Sequence, residues 1–256
     1  MNIYIPTQLL PASIKRIGYK VVFRGRKITN PSPFLSAVSG KRGIEIGGPS
    51  LFFDFSLPIY KTVGSLDGLN FARQTIWEGN IDESLDFSYR KRRLGTQVIG
   101  EASDISNVKT HSYDFVLSCH SLEHVANPLK ALREWKRILK PGGFLILAVP
   151  NKESIFDHNR PVTTFSHLLA DEQSNVDERD LTHLQEILDL HDLGQDKAAG
   201  SFEEFRVRSL DNFLNRGLHH HVFDANLLAE CMKHTDFKVL EMHSSYYDHL
   251  VLCRLL

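Results

Sequence analysis

Cysteine is scarce in this chain: Cys119, Cys231 and Cys253 are the three among 256 residues, scattered and without metal-ligand spacing. An odd, dispersed set argues against a disulfide framework and leads us to expect a reducing, cytoplasmic compartment. Long apolar runs are missing too. None approaches the roughly 18–20 residues that span a bilayer, and the first residues lack the basic and then apolar regions of a secretory leader. Acids are absent from residues 1–42, where Lys15, Arg16, Lys20, Arg24, Arg26, Lys27, Lys41 and Arg42 occur. We expect a basic arm there, either solvated against the domain or touching an anionic surface. Aromatic residues do not interleave with these bases, so nucleic acid is not an expected partner. The stretch "GIEIGGPS" (residues 43–50) carries a glycine turn. It lacks both the Gly-Lys-Ser/Thr ending of a phosphate loop and the full G-x-G-x-x-G fingerprint.

What is present describes one folded domain. A hydrophobic content of 42% and a formal net charge of −1 suit a chain of this length with a substantial core. "RGIEIGG" reads as a buried strand running into a tight turn, "YKTVGSLDG" as a second strand and "TQVIGEASDI" as a third. "SYDFVLSCH" is a fourth. Asn127-Pro128 then opens a helix, because Asn caps well and Pro suits the first helical position. "KPGG" (residues 140–143) stops that helix, and "FLILAVP" follows as a fifth strand. Strands alternating with helices predict an α/β, Rossmann-like, mostly parallel sheet with helices on both faces. Residues 155–216 lose periodicity and gain acids, and read as an insertion after the fifth strand, although "DLTHLQEILDLHDL" within it looks helical. A closing helix over "DANLLAECMKHTDF" and two strands without a helix between them predict an antiparallel C-terminal hairpin. The expected organisation is one domain: a basic arm (1–42), a cofactor half (43–154), an acceptor-side insertion (155–216) and a closing segment (217–256).

Three acids, Glu45, Asp67 and Glu101, are expected at three successive strand ends, where open α/β sheets bind ligands. Carboxylates there repel a phosphate and suit a cationic nucleoside with hydroxyls and an amine, which describes S-adenosylmethionine. Gly47 and Gly48 let the backbone approach the methionyl part. Glu45 braces that turn and faces the ammonium, Asp67 accepts from the ribose diol, and Glu101 accepts from the adenine amine beside Ala102.

The segment "YDFVLSCHSLEHVANPLKALREWKRILKPGGFLILAVPN" (residues 113–151), with "EIGG" and "GEASDI", resembles class I S-adenosylmethionine-dependent methyltransferases of the type 11 subgroup. The late segment "HHHVFDANLLAECMKHTDFKVLE" is similar to that family's last helix and strand. The resemblance implies cofactor contacts at Glu45, Gly47, Asp67, Glu101 and Ala102, and around Ser118 to His120. Pro49 and Leu51 depart from the further glycines that many members carry.

Thirteen histidines are a high number, and imidazole is readily tuned to act near neutral pH. Glu123 and His124 are expected to fix the turn after the fourth strand, and His219-His220-His221 to support a loop. A metal site from His120, Glu123, His124 and a later histidine is the sharper alternative, but no metal is assigned. The insertion should shape the acceptor pocket: His158 and His183 are the expected general bases, Arg160 an anchor, and His191 and Asp192 further candidates. The expected function is methyl transfer to oxygen of a polar small molecule or glycan. The alternative is a non-catalytic binding or regulatory module that keeps the cofactor fold. A nicotinamide dehydrogenase is disfavoured by the missing fingerprint and the closing hairpin.

Overall fold

A computed structural model describes residues 27–75, 79–81, 85–90 and 92–256. Lys15, Arg16, Lys20, Arg24 and Arg26 of the expected basic arm therefore lie outside the described residues. Of its other bases, Lys41 donates to the Ala37 carbonyl at 2.7 Å, and Arg42 pairs with Asp67 at 2.9 Å.

The main sheet has eight strands: β1 (Arg42–Ile46), β2 (Ser65–Asn70), β5 (Asp86–Tyr89), β6 (Arg92–Ile99), β7 (Tyr113–Cys119), β8 (Leu139–Pro150), β9 (Phe237–Ser244) and β10 (Asp248–Leu255). A separate two-stranded ribbon joins β3 (Gln74–Thr75) and β4 (Gly79–Asn80). The order across the main sheet is β5-β6-β2-β1-β7-β8-β10-β9. Strands β6, β2, β1, β7 and β8 are mutually parallel, while β10 runs antiparallel to both β8 and β9. The expected parallel sheet and closing hairpin are both present. The chain leaves β1 for β2 on one side and returns through β6 to β7 on the other. The switch in strand order thus falls between β1 and β7, which is where such a sheet opens a crevice.

The longer helices position the site. In α1 (Ser32–Val38), Phe34, Ala37 and Val38 are buried. Helix α2 (Pro128–Ile138) starts as expected: Asn127 accepts from the Lys130 amide, and Pro128 occupies the first turn. Its Leu129, Leu132, Trp135 and Ile138 fall on one face and are fully buried. Helix α3 (Phe165–Ser174) is capped by Thr164, α4 is Leu184–Leu190, and α5 (Phe202–Leu210) begins with a Ser201/Glu204 capping box. The last of them, α6 (Ala225–His234), is capped by Asp224.

Each sheet face has its own core. Helices α2 and α6 cover one through Leu132, Trp135, Leu228 and Met232, and α1 covers the other with Phe53, Leu57 and Phe115. The insertion builds a small third cluster from Ile187, Ala199, Phe205 and Leu218, while Leu168 of α3 joins the main core. Two local expectations change. Helix α2 ends at Ile138, and β8 already begins at Leu139, before the glycines. Between β2 and β6 the described chain forms the ribbon and the antiparallel edge strand β5 rather than a helix. All three cysteines are buried and free. No helix among the described residues is long and apolar enough to cross a membrane.

Candidate functional site

A cavity of about 810 Å³ opens at the carboxyl ends of β1, β2, β6 and β7. That volume is ample for a nucleoside cofactor together with part of a second molecule. Its floor is the turn after β1. Gly47 takes a positive φ of 73°, and a Cβ there would meet Ser121 Oγ at 2.4 Å. Ser121 Oγ in turn donates to the Ile46 carbonyl at 3.0 Å, joining the ends of β1 and β7. Gly48 is confined from behind, because a Cβ would sit 2.2 Å from the Glu45 carboxylate carbon.

Glu45 is wholly buried. Its Oε1 accepts from the Ser50 amide at 3.0 Å, and Tyr60 Oη donates to the carboxylate at 2.7 Å. The carboxylate braces the turn from beneath and is not part of the cavity wall. Gly47, Pro49 and Ser50 are.

The second strand corrects the sequence reading. Strand β2 runs three residues past Asp67 and ends at Asn70. Asp67 is level with Ile44 of β1, roughly 10 Å below the strand's end at about 3.3 Å per residue. Its carboxylate is saturated by Arg42 at 2.9 Å, Tyr113 Oη at 2.9 Å and the Thr96 amide at 2.8 Å. It does not reach the cavity. Asn70 and Phe71 line the wall instead, and Asn70 Nδ2 donates to the Gly48 carbonyl at 3.1 Å. The third strand end matches better: Gly100, Glu101 and Ala102 all line the cavity. Arg216 reaches Glu101 Oε1 at 2.5 Å and lies over the Phe71 ring at 5.0 Å. Ser118 is buried inside β7, and the residues that reach the wall are His120 and Ser121.

The opposite wall is rich in imidazole and carboxylate. His120, at φ 50° just beyond β7, holds its Nε2 2.7 Å from Asp248 of β10. His219 directs Nδ1 to Asp157 at 2.5 Å. Burial opposes ionisation of Asp157, but His219 and Arg160 outweigh it and hold the carboxyl at about 2. His124 Nδ1 donates to the Leu218 carbonyl at 2.9 Å, and burial pushes this imidazole well below its usual range. Glu178, from the insertion, accepts from the Ala126 amide at 3.1 Å, and burial lifts its carboxyl to about 7. Burial also raises Glu123, whose carboxylate oxygens find no hydrogen-bond partner among the described residues. Glu123, His124 and His219 each offer an atom within 4.8 Å of the others, so this wall has donors that suit a cation as well as a hydroxyl.

The insertion residues picked out from sequence do not line this wall. His158 pairs with Asp192 at 2.9 Å, and His183 Nε2 meets His167 Nε2 at 2.9 Å. His191 stacks on Phe156 and has the tilted Phe205 ring 4.2 Å away. Arg160 is 1% exposed and is spent inside, on Asp157 at 3.0 Å, Glu186 at 2.8 Å and the carbonyls of His219 and His220. Residues that sequence reasoning missed, Asn70, Phe71, Glu178 and Arg216, carry no local motif. The His219-His220-His221 run is plain in the sequence, but which ring faces the cavity depends on how residues 217–223 cross the insertion.

The profile of the methyltransferase-domain family matches residues 67–242. Over 47 residues the chain is 53% identical to the uncharacterized protein MJ0638 of Methanocaldococcus jannaschii, covering 18% of this chain and 20% of that protein. The chain thus spans about a fifth of the curated relative it matches. Among solved structures, it is similar to a chain from the complex between the Haloferax volcanii Trm112 methyltransferase activator and a methyltransferase, with a TM-score of 0.50, 13% identity and 94% of each chain covered. A SAM-dependent methyltransferase from Methanosarcina mazei superposes with a TM-score of 0.50 at 16% identity, over 88% of this chain and 97% of that one. At these identities the likeness is one of fold.

Proposed function

The chain belongs to the methyltransferase-domain family, and from that premise we propose that it is an S-adenosylmethionine-dependent enzyme that methylates a hydroxyl of a polar small molecule or glycan. The observation that carries this reading is the two-sided cavity: a glycine turn with Asn70 and Glu101 on one wall, and carboxylate-held imidazoles on the other. The cofactor supplies an electrophilic methyl group on a sulfonium.

The residues fit that group without Asp67. Backbone at Gly47 lies open to a methionyl moiety beside the β1/β7 crevice. Asn70 keeps its amide oxygen for a ribose hydroxyl, since its nitrogen is engaged by Gly48. Phe71 and Ala102 offer apolar contact to a base, and Glu101 is the acceptor for its amine once Arg216 yields. In-line displacement rests mainly on alignment and exclusion of water, which can supply roughly 7–11 kcal/mol.

His120 is the residue we assign as proton acceptor. It stands at the end of β7 beside the crevice, and Asp248 orients its ring in the way a carboxylate orients a catalytic imidazole. His219, oriented by Asp157, and Glu178 are suited to hold the acceptor's hydroxyls. This support favours a polyhydroxylated molecule over a flat apolar one.

The test is calorimetry with S-adenosylmethionine, followed by incubation of the enzyme with methyl-labelled cofactor and candidate polyols and sugars. Binding with labelled product supports the reading. Binding without transfer to any hydroxylated acceptor removes the substrate class. No binding at all favours the alternative of a binding module, for which the Arg216–Glu101 pair in the adenine wall is the specific observation.

A further inference from the structure

Outside the cavity, four side chains from three separate segments converge: His167 and Asp171 one turn apart on α3, His183 at the start of α4, and His221 in the stretch leading to α6. We propose that His167, Asp171, His183 and His221 form a binding site for one divalent transition-metal ion, Zn²⁺ by its chemistry, that clasps the insertion to the body of the domain.

The distances are those of a ligand set. His167 Nε2 lies 2.9 Å from His183 Nε2 and 3.2 Å from Asp171 Oδ2, and the His221 ring stands beside the same carboxylate, its far nitrogen Nε2 3.8 Å from Asp171 Oδ2. Each of the four residues offers a ligand atom within 4.8 Å of the rest. Tetrahedral zinc with bonds of roughly 2.0–2.2 Å separates neighbouring ligand atoms by about 3.3–3.6 Å, so the His167 pairs at 2.9 and 3.2 Å need open only slightly around an ion.

One buried polar atom independently asks for a partner, and a second is only partly served. Among the described residues, Asp171 is 6% exposed and its Oδ2 has only the His167 ion-pair contact, while His221 is 1% exposed and its Nδ1 has no hydrogen bond. A buried ring nitrogen left without a partner is destabilising, and an ion would satisfy it. The His221 ring is already set up by its surroundings. Its Nε2 lies 3.1 Å from the Ala126 carbonyl, which only accepts, so that nitrogen carries the proton and Nδ1 keeps its lone pair. A backbone carbonyl fixing the opposite ring nitrogen is how metal-binding histidines are oriented. Three imidazoles and one carboxylate select a borderline ion such as Zn²⁺ over Mg²⁺ or Ca²⁺, which prefer oxygen.

The ligands also bracket the acceptor wall in the chain. Glu178 lies between Asp171 and His183, and His219 lies two residues before His221. An ion joining these segments would fix the chain that carries both cavity residues, a role distinct from contact with substrate.

The experiment uses the full chain, stripped with a chelator, dialysed against Zn²⁺ and read by elemental analysis. The expected result is about one Zn²⁺ per chain fewer in Asp171→Asn, and in the double variant His167→Ala/His183→Ala, than in the unaltered protein. Loaded with Co²⁺, the unaltered protein should develop the visible bands of a tetrahedral site, which both variants lack. Chelation should also lower its midpoint of thermal unfolding. If the double variant fails to fold by circular dichroism, the near-isosteric Asp171→Asn decides alone. Equal metal content in the unaltered protein and in Asp171→Asn overturns the proposal, as does an unaltered protein that takes up no Zn²⁺. So does loss of metal only in His219→Ala, which would move the ion to the cavity.

Discussion

Arg216 and Glu101, 115 residues apart, meet at 2.5 Å across the wall of the cavity, with the arginine side chain 9% exposed and the glutamate 38%. The guanidinium also lies over Phe71 and Phe213. In the cofactor pose proposed above, it competes for the carboxylate assigned to the adenine amine.

Cofactor affinity should therefore respond in opposite directions to the two partners. Arg216→Ala frees Glu101 and should tighten S-adenosylmethionine several-fold in calorimetry. Glu101→Ala removes the acceptor and should weaken it by about tenfold or more, as a charge-assisted bond of about 1.5–3 kcal/mol predicts. Weakening by both substitutions would instead make the pair a structural part of the site.

The turn after β1 tolerates no side chain at Gly48. Gly48→Ala should lower unfolding free energy by about 1–3 kcal/mol, because its Cβ would collide with Glu45, a buried carboxylate that cannot swing away. Tyr60→Phe should lose a comparable amount by taking a donor from that carboxylate. Urea denaturation reads both changes.

Glu178 makes stability depend on pH in an unusual direction for a carboxylate. Its folded pKa of about 7 exceeds the ordinary 4.5, so the folded state holds the proton more tightly than the unfolded chain. The stabilisation is complete below pH 4.5 and is lost as pH rises through 7, on the order of 3 kcal/mol. Glu178→Gln should match the unaltered protein near pH 4.5 and exceed it at pH 8. Denaturation midpoints at the two pH values test this.

Asp157 behaves in the opposite way. Held at about 2, below the ordinary 3.8, it stabilises the fold above pH 3.8, and that contribution fades as pH falls through 2. Asp157→Asn leaves the buried Arg160 with less countercharge and releases the His219 ring. A loss on the order of 3 kcal/mol at pH 7 is expected by denaturation.

For His120, turnover should fall much more than cofactor affinity on substitution by Ala. Rate measurements with a labelled acceptor, set beside calorimetry, separate the two. Equal losses in both would remove His120 from proton transfer and make it part of the cofactor wall.

Local rules make much of the framework legible in the sequence. Asn127-Pro128 opens α2 because a cap needs only its own side chain and the next few amides. The buried strands β1, β7 and β8 announce themselves as short apolar runs, and the glycine turn as a break between them. Glu101 and Ala102 stand at their strand end for the same reason. Asp67 misleads because an acid after a short apolar run reads as the end of a strand. Pairing with β1 carries the strand on to Asn70 and turns Asp67 into an anchor for Arg42 and Tyr113.

The sequence by itself determined a methyltransferase-type sheet and where its glycine turn lies, since periodicity, caps and turns act over a few residues. Only the tertiary structure decided which histidines face the cavity, because that depends on long-range partners: Asp248 for His120, 128 residues away, and Asp157 for His219, 62 away. Burial then sets each group's charge, and burial belongs to the packed molecule rather than to any stretch of chain.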